Sequence, residues 1–225
     1  DLSRYRVVLA PNLYLLRPGV AENLERFVSA GGILVMSFFS GMVDQDEQIL
    51  LGGYPATLRR LLGLSMQEFN PFVPGQTNSL ISGNETFACD LWTDLIDLEG
   101  AEAMASFGGD FYAGRPAVTR HHFGGGSAYY LGTRPEPAYM ARLLERVCDE
   151  GGVAPVLDAP TGVEAVRRCG AGGSYLFLLN HTLGPVNVTL PRPGDDLLAA
   201  CRIGGTVRLE PFGVLVVRED TGAAH

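Results

Sequence analysis

Lysine is missing from this chain, and all 17 basic residues are arginine. Without a side-chain primary amine, neither a Walker A phosphate loop nor a Schiff-base mechanism can be built. Long apolar runs are missing as well. The longest candidate, Gly32 to Phe39, falls well short of the roughly 18–20 residues that cross a bilayer, so no membrane partner is expected. Cysteine is scarce: Cys89, Cys148, Cys169 and Cys201 are widely spaced, form no CxxC pair and have no histidine at zinc-ligand spacing. They read as reduced structural thiols, and neither metal nor cofactor is expected. Positive charge is in deficit, with 25 acidic residues, a net charge of −8 and a pI near 5.0. The arginines are scattered apart from short pairs such as Arg59-Arg60 and Arg167-Arg168, which excludes a basic nucleic-acid surface.

What is present is the composition of ordinary folded domains, 46% apolar and 19% charged. The chain opens at Asp1 and runs almost at once into an extended segment, Tyr5 to Ala10. That leaves no room for a charged and then apolar leader, so the cytoplasm is the expected compartment. Three glycosylation triplets, at Asn84, Asn180 and Asn187, are read as unmodified.

The most informative stretch is Arg115 to Gly152. A strand (Arg115 to Phe123), a triple-glycine turn (Gly124, Gly125, Gly126) and a second strand (Ser127 to Gly132) feed a helix. Pro137 stands near the helix start, Tyr139, Leu143, Leu144 and Val147 recur at helical spacing, and Gly151-Gly152 stop it. Upstream, Val20, Leu24, Phe27 and Val28 line one face of a helix that ends at Gly31-Gly32. The strand Ile33 to Phe38 follows, apolar on both faces and so expected to lie between helices in a parallel sheet. Gly41 to Tyr54 reads as an exposed loop and Ala56 to Leu62 as a short helix. Met66 to Phe69 and Ala101 to Phe107 are predicted strands, and Phe87 to Leu98 a strand ending in a turn. From about Asp158 only strands are predicted: Val163 to Cys169, Ser174 to Asn180, Val186 to Leu190, Leu197 to Cys201, Thr206 to Leu209 and Val214 to Arg218. The expected architecture is α/β: a flavodoxin-like, class I glutamine amidotransferase-like domain over residues 1–156, then a small antiparallel β-sandwich over residues 157–225.

No residue qualifies as catalytic, cofactor-binding or metal-binding. After the strand, Met36-Ser37-Phe38-Phe39-Ser40-Gly41 lacks the cysteine and the G-x-S/C-x-G elbow of amidotransferase chemistry, leaving Ser40 as a loop serine. His121 and His122 are adjacent on a strand and point to opposite faces, so they cannot share a metal. His181 reads as a turn cap, and His225 is terminal and uninformative. Two acidic groups, Asp94, Asp97 and Glu99 and then Asp44, Asp46 and Glu47, read as solvated loop charge, because paired glycosidase carboxylates must face each other across a sugar. Trp92, the only tryptophan, reads as core or interface more readily than as a sugar platform. Tyr112 reads as an exposed ring.

Tyr129-Tyr130-Leu131-Gly132-Thr133, the helix after it and Gly152-Val153-Ala154-Pro155 resemble the end of the middle domain of family 42 β-galactosidases. Val7-Val8-Leu9-Ala10-Pro11 and Phe27 through Val35 are similar to the start of that family's trimerisation domain. Gly162 to Arg168, Tyr175 to His181 and Leu209 to Val214 are similar to its C-terminal β domain. The resemblance covers nearly the whole chain. It implies a homotrimer, a galactoside substrate and two catalytic glutamates on a (β/α)8 barrel that is not among these residues. The chain is therefore expected to be a non-catalytic portion serving assembly and bracing. A stand-alone amidotransferase-like enzyme and a carbohydrate-binding or scaffold module are the alternatives.

Overall fold

A computed structural model describes residues 1–170 and 172–220; His225 lies outside them. The chain divides into two compact units, residues 1–153 and 154–225.

In chain order the first unit contains β1 (Val7–Ala10), α1 (Val20–Ser29), β2 (Ile33–Ser37), a 3-10 turn (Ala56–Leu58) leading into α2 (Arg59–Leu62), β3 (Leu64–Phe69), β4 (Asn78–Ser82), β5 (Glu85–Asp90), β6 (Asp94–Leu98), β7 (Glu102–Phe107), β8 (Pro116–Phe123), β9 (Gly126–Leu131), β10 (Arg134–Pro135) and α3 (Pro137–Glu150). Eight strands make one sheet in the order β1-β2-β9-β8-β7-β4-β5-β10, while β3 pairs with β6 apart from it. β1, β2 and β9 are mutually parallel. All other pairings in that sheet are antiparallel.

The sheet is parallel around β2, as expected there, but mixed as a whole, which does not bear out the flavodoxin-like label. Parallel neighbours need long crossovers. Between Asn78 and Leu131 the chain instead reverses through tight turns, at Gly83 (φ +59°) and Gly124 (φ +61°), that impose antiparallel pairing.

The parallel strands are covered on both faces, as the doubly apolar β2 requires. Ile33, Val35, Tyr129 and Leu131 pack with Tyr139, Leu143 and Val147 of α3. Leu34, Met36, Ala128 and Tyr130 pack with Leu24, Phe27 and Val28 of α1 and with Leu61 and Leu62 of α2. Close approach at the head of β9 explains one glycine: a Cβ on Gly126 would stand 2.1 Å from the Gly32 carbonyl oxygen and 2.5 Å from that of Val28.

The second unit contains β11 (Val163–Gly170), β12 (Gly173–Asn180), β13 (Val186–Thr189), β14 (Gly194–Asp196), β15 (Cys201–Ile203), β16 (Thr206–Leu209) and β17 (Val214–Glu219). A five-stranded antiparallel sheet, β11-β12-β17-β14-β15, and the β13–β16 ribbon share one core. Leu176, Leu178, Leu215 and Val217 come from the sheet, and Val188 and Leu209 from the ribbon.

Three local expectations are corrected. Of the expected strand Leu197 to Cys201, residues 197–200 are a turn joining β14 to β15, which starts at Cys201: Asp196 Oδ1 accepts the Leu198 amide at 2.8 Å and Ala200 takes φ +54°. Phe87 to Leu98 is two strands, because Leu91 turns left-handed at φ +69°. Gly41 to Tyr54 is irregular but not wholly exposed, since Val43 is buried and bridges to Leu15 and Ile49. Strand β4 was not read from the sequence; its polar ends hide a single buried apolar position, Leu80.

Candidate functional site

The C-terminal end of β2 carries the feature least explained by folding alone. After Ser37 the chain turns through Phe38 and Phe39, and Phe39 sits at φ +62°, a left-handed conformation that costs a non-glycine residue about 1–3 kcal/mol. Neighbouring groups hold it there. Asn12 donates its side-chain amide to the Phe38 carbonyl (3.0 Å) and its backbone amide to Ser37 Oγ (3.0 Å). Ser40 Oγ donates to the Ser37 carbonyl (2.7 Å) and accepts from the Leu13 amide (3.1 Å).

The strained turn holds Phe39 against Trp92, with ring centroids 4.2 Å apart. Trp92 in turn stacks on Phe69 at 4.7 Å, with Phe38 behind it at 6.2 Å. Phe69 is 50% exposed and Leu91, beside Trp92 and also left-handed, is 45% exposed. The strained Phe39 thus holds its ring at an aromatic face, and the left-handed Leu91 precedes Trp92 in the chain. Asn70 and Thr93 exchange backbone hydrogen bonds beneath the face (2.8 and 3.0 Å).

Under the face lies a buried carboxylate. Asp94, at the start of β6, accepts the Trp92 indole N–H on Oδ1 (2.8 Å) and the Tyr130 hydroxyl on Oδ2 (2.7 Å). The Tyr54 hydroxyl lies 3.0 Å from that of Tyr130, and the backbone amides of Phe39 and Ser40 face it in turn. The chain Trp92–Asp94–Tyr130–Tyr54 therefore runs back to the Phe39 turn, joining both sides of the aromatic face. Burial pushes the Asp94 carboxyl up to about 7 against the opposing pull of its two donors. Burial, and secondarily the charge of Asp94, raises the Tyr54 and Tyr130 hydroxyls.

The other residues singled out in the sequence lie apart from this face. Ser40 Oγ is committed to backbone partners, and Phe39 occupies the left-handed position after the strand where an elbow nucleophile would stand. His121 meets the Leu61 carbonyl at 2.9 Å, whereas His122 is exposed beside Ser127. His181 pairs with Glu164 at 3.0 Å; the neighbouring turn is held by Asn180, whose amide donates to the carbonyls of Gly184 (2.8 Å) and Glu210 (2.9 Å). Asp97 pairs with Arg115 and Glu99 with Arg59. Asp44 closes its own loop by accepting the amides of Asp46 and Gln48.

Two expectations fail here. Asp94 is not solvated loop charge but fully buried, and Tyr112 is not exposed: it is buried edge-on against Phe107, leaving Phe111 at the surface. The Asp94 signal was present in the sequence. Trp92 and Asp94 are two apart in the chain, and their side chains meet in one hydrogen bond. Among the described residues no cluster of three potential metal ligands occurs, all four cysteines are free, and no helix is long and apolar enough to cross a membrane.

Comparison with known proteins gives a consistent set of matches. Residues 1–154 match the family model of the β-galactosidase trimerisation domain, and residues 162–219 that of the β-galactosidase C-terminal domain. β-Galactosidase BgaB of Geobacillus sp. (strain Y412MC61) is 42% identical across 99% of this chain, which covers 34% of that protein. The crystal structure of β-galactosidase from Bacillus circulans sp. alkalophilus superimposes with a TM-score of 0.93 at 36% identity, covering 98% of this chain and 34% of that one. A catalytic mutant of a GH42 β-galactosidase from G. stearothermophilus gives 0.89 at 31% identity, covering 97% and 32%. The chain thus spans about a third of the length of the relatives it matches.

Proposed function

The chain belongs to the family 42 β-galactosidases, and from that premise we propose that it is the assembly and C-terminal portion of such an enzyme, working with catalytic polypeptide outside these 225 residues. One observation carries the reading. The two domain matches fill residues 1–154 and 162–219, so the chain is accounted for without a catalytic domain, while its relatives are about three times as long.

The parent reaction is hydrolysis of terminal β-D-galactosides with retention, which needs two carboxylates about 5–5.5 Å apart across the sugar, one nucleophile and one acid/base. The acids here are engaged otherwise: Asp97 and Glu99 by arginines, Asp94 by Trp92 and Tyr130 beneath the surface. The first unit's role is self-association, with a homotrimer as the stoichiometry. Support comes from the trimerisation match over residues 1–154 and from the aromatic face of Phe39, Phe69 and Trp92 inside it. The second unit braces the assembly. A cytoplasmic setting is supported by four free thiols, with Cys169 and Cys201 exposed.

Neither alternative gains support. An amidotransferase-like nucleophile has no counterpart at Phe39, and Trp92 is flanked by Phe39 and Phe69 rather than standing free as a sugar platform. Light scattering on the purified chain tests the assembly role. Concentration-dependent growth in mass toward three copies is expected, and a monomer throughout the micromolar range overturns it.

A further inference from the structure

We propose that Asp94 is the positioning residue of the aromatic face, and that its protonation loosens both Trp92 and the Phe39 turn and so weakens docking of a second copy of this chain. The occupant rests on the assembly reading given above; the coupling inside the chain does not.

The argument follows the hydrogen atoms. With Asp94 ionised, every group has a partner. Trp92 Nε1 donates to Oδ1, the Tyr130 hydroxyl donates to Oδ2, the Tyr54 hydroxyl donates to the Tyr130 oxygen, and the Tyr54 oxygen is left to face the amides of Phe39 and Ser40. A proton added to Asp94 reverses that order. On Oδ1 it meets the Trp92 N–H, donor against donor. On Oδ2 it donates to Tyr130, Tyr130 must donate to Tyr54, and the Tyr54 hydrogen is driven toward two backbone N–H groups that cannot accept it. Either placement disturbs one side of the aromatic face. The Asp94–Trp92 bond also loses its charge assistance, which roughly halves such a bond.

No cation opposes the change. The titratable groups that act on Asp94 are Tyr130 from β9 and, through it, Tyr54 from the segment before α2; the third partner is the Trp92 indole from the β5–β6 turn, and among the described residues no arginine or histidine contributes. Burial sets the carboxyl near neutrality, where modest acidification changes its state.

Trp92 is the only tryptophan, so its emission reports this site without labelling. The experiment records emission and, by sedimentation, the association constant of the whole chain between about pH 8 and about pH 6, where a docked Asp94 pKa one unit below the free value is about fivefold in association. The expected result is an emission titration centred near neutrality, with association about fivefold weaker at the acid end. Asp94→Asn removes the emission titration. Tyr54→Phe keeps an emission change but reduces the loss of association, because the far end of the relay is cut. Wild-type emission that is flat with pH overturns the proposal, as does a titration that survives in Asp94→Asn. If emission titrates while the chain stays monomeric, Asp94 control of Trp92 is upheld and the assembly reading is what fails.

Discussion

At the scale of single residues, the left-handed Phe39 and Leu91 and the buried Asp94 mark the aromatic face as something other than core. Leu91→Gly separates the two roles. Glycine relieves left-handed strain of about 1–2 kcal/mol against an entropic cost of about 0.5–1 kcal/mol, so thermal unfolding should show stability unchanged or raised by up to about 1.5 kcal/mol. Self-association, measured by sedimentation, should fall. Asp94 also fixes the sign of a pH effect on stability. Its folded pKa is raised, so it contributes stability that is fully present below the ordinary carboxylate range and is lost as pH rises through about 7. Denaturant titrations should show the first unit losing stability toward neutral pH and this slope flattening in Asp94→Asn. Glu219 has the opposite sign: the Arg167 guanidinium, aided by Ser174, holds its carboxyl below the usual value, so its contribution is lost on acidification. Arg167→Ala leaves that carboxylate buried without its cation and should cost about 3 kcal/mol in chemical denaturation.

At the scale of elements, the segments with strong local signals were legible. α1 and α3, the β8–β9 hairpin and the doubly covered β2 follow from periodicity and glycine placement, and each forms within a residue or two of the expected bounds. Misreadings arose where a polar side chain bonds its own backbone or a non-glycine residue turns left-handed. Asp196 and Ala200 make a turn out of an apolar run, and Leu91 breaks a strand with no glycine or proline to announce it. Tyr112 was misplaced for a related reason: beyond the left-handed Asp110, Phe111 faces out and Tyr112 inward. The triple glycine has a specific consequence. Gly126→Ala would drive a methyl group into the carbonyls of Gly32 and Val28, which are backbone and cannot rotate away, so a loss of about 1–3 kcal/mol is expected on thermal unfolding.

At the scale of the whole molecule, strand order was the part the sequence did not disclose. Periodicity says which residues form strands and which faces are buried, but pairing β9 beside β2, and β4 between β7 and β5, depends on contacts far apart in the chain. The aromatic face was hidden for the same reason, since Phe39, Phe69 and Trp92 meet only when three separate segments converge. The central claim is that these 225 residues assemble and brace a β-galactosidase whose reacting acids lie elsewhere. The most direct measurement is hydrolysis of a chromogenic β-galactoside by the purified chain alone. The account predicts a rate indistinguishable from buffer; enzyme-dependent release of the chromophore that co-purifies with the chain would contradict it.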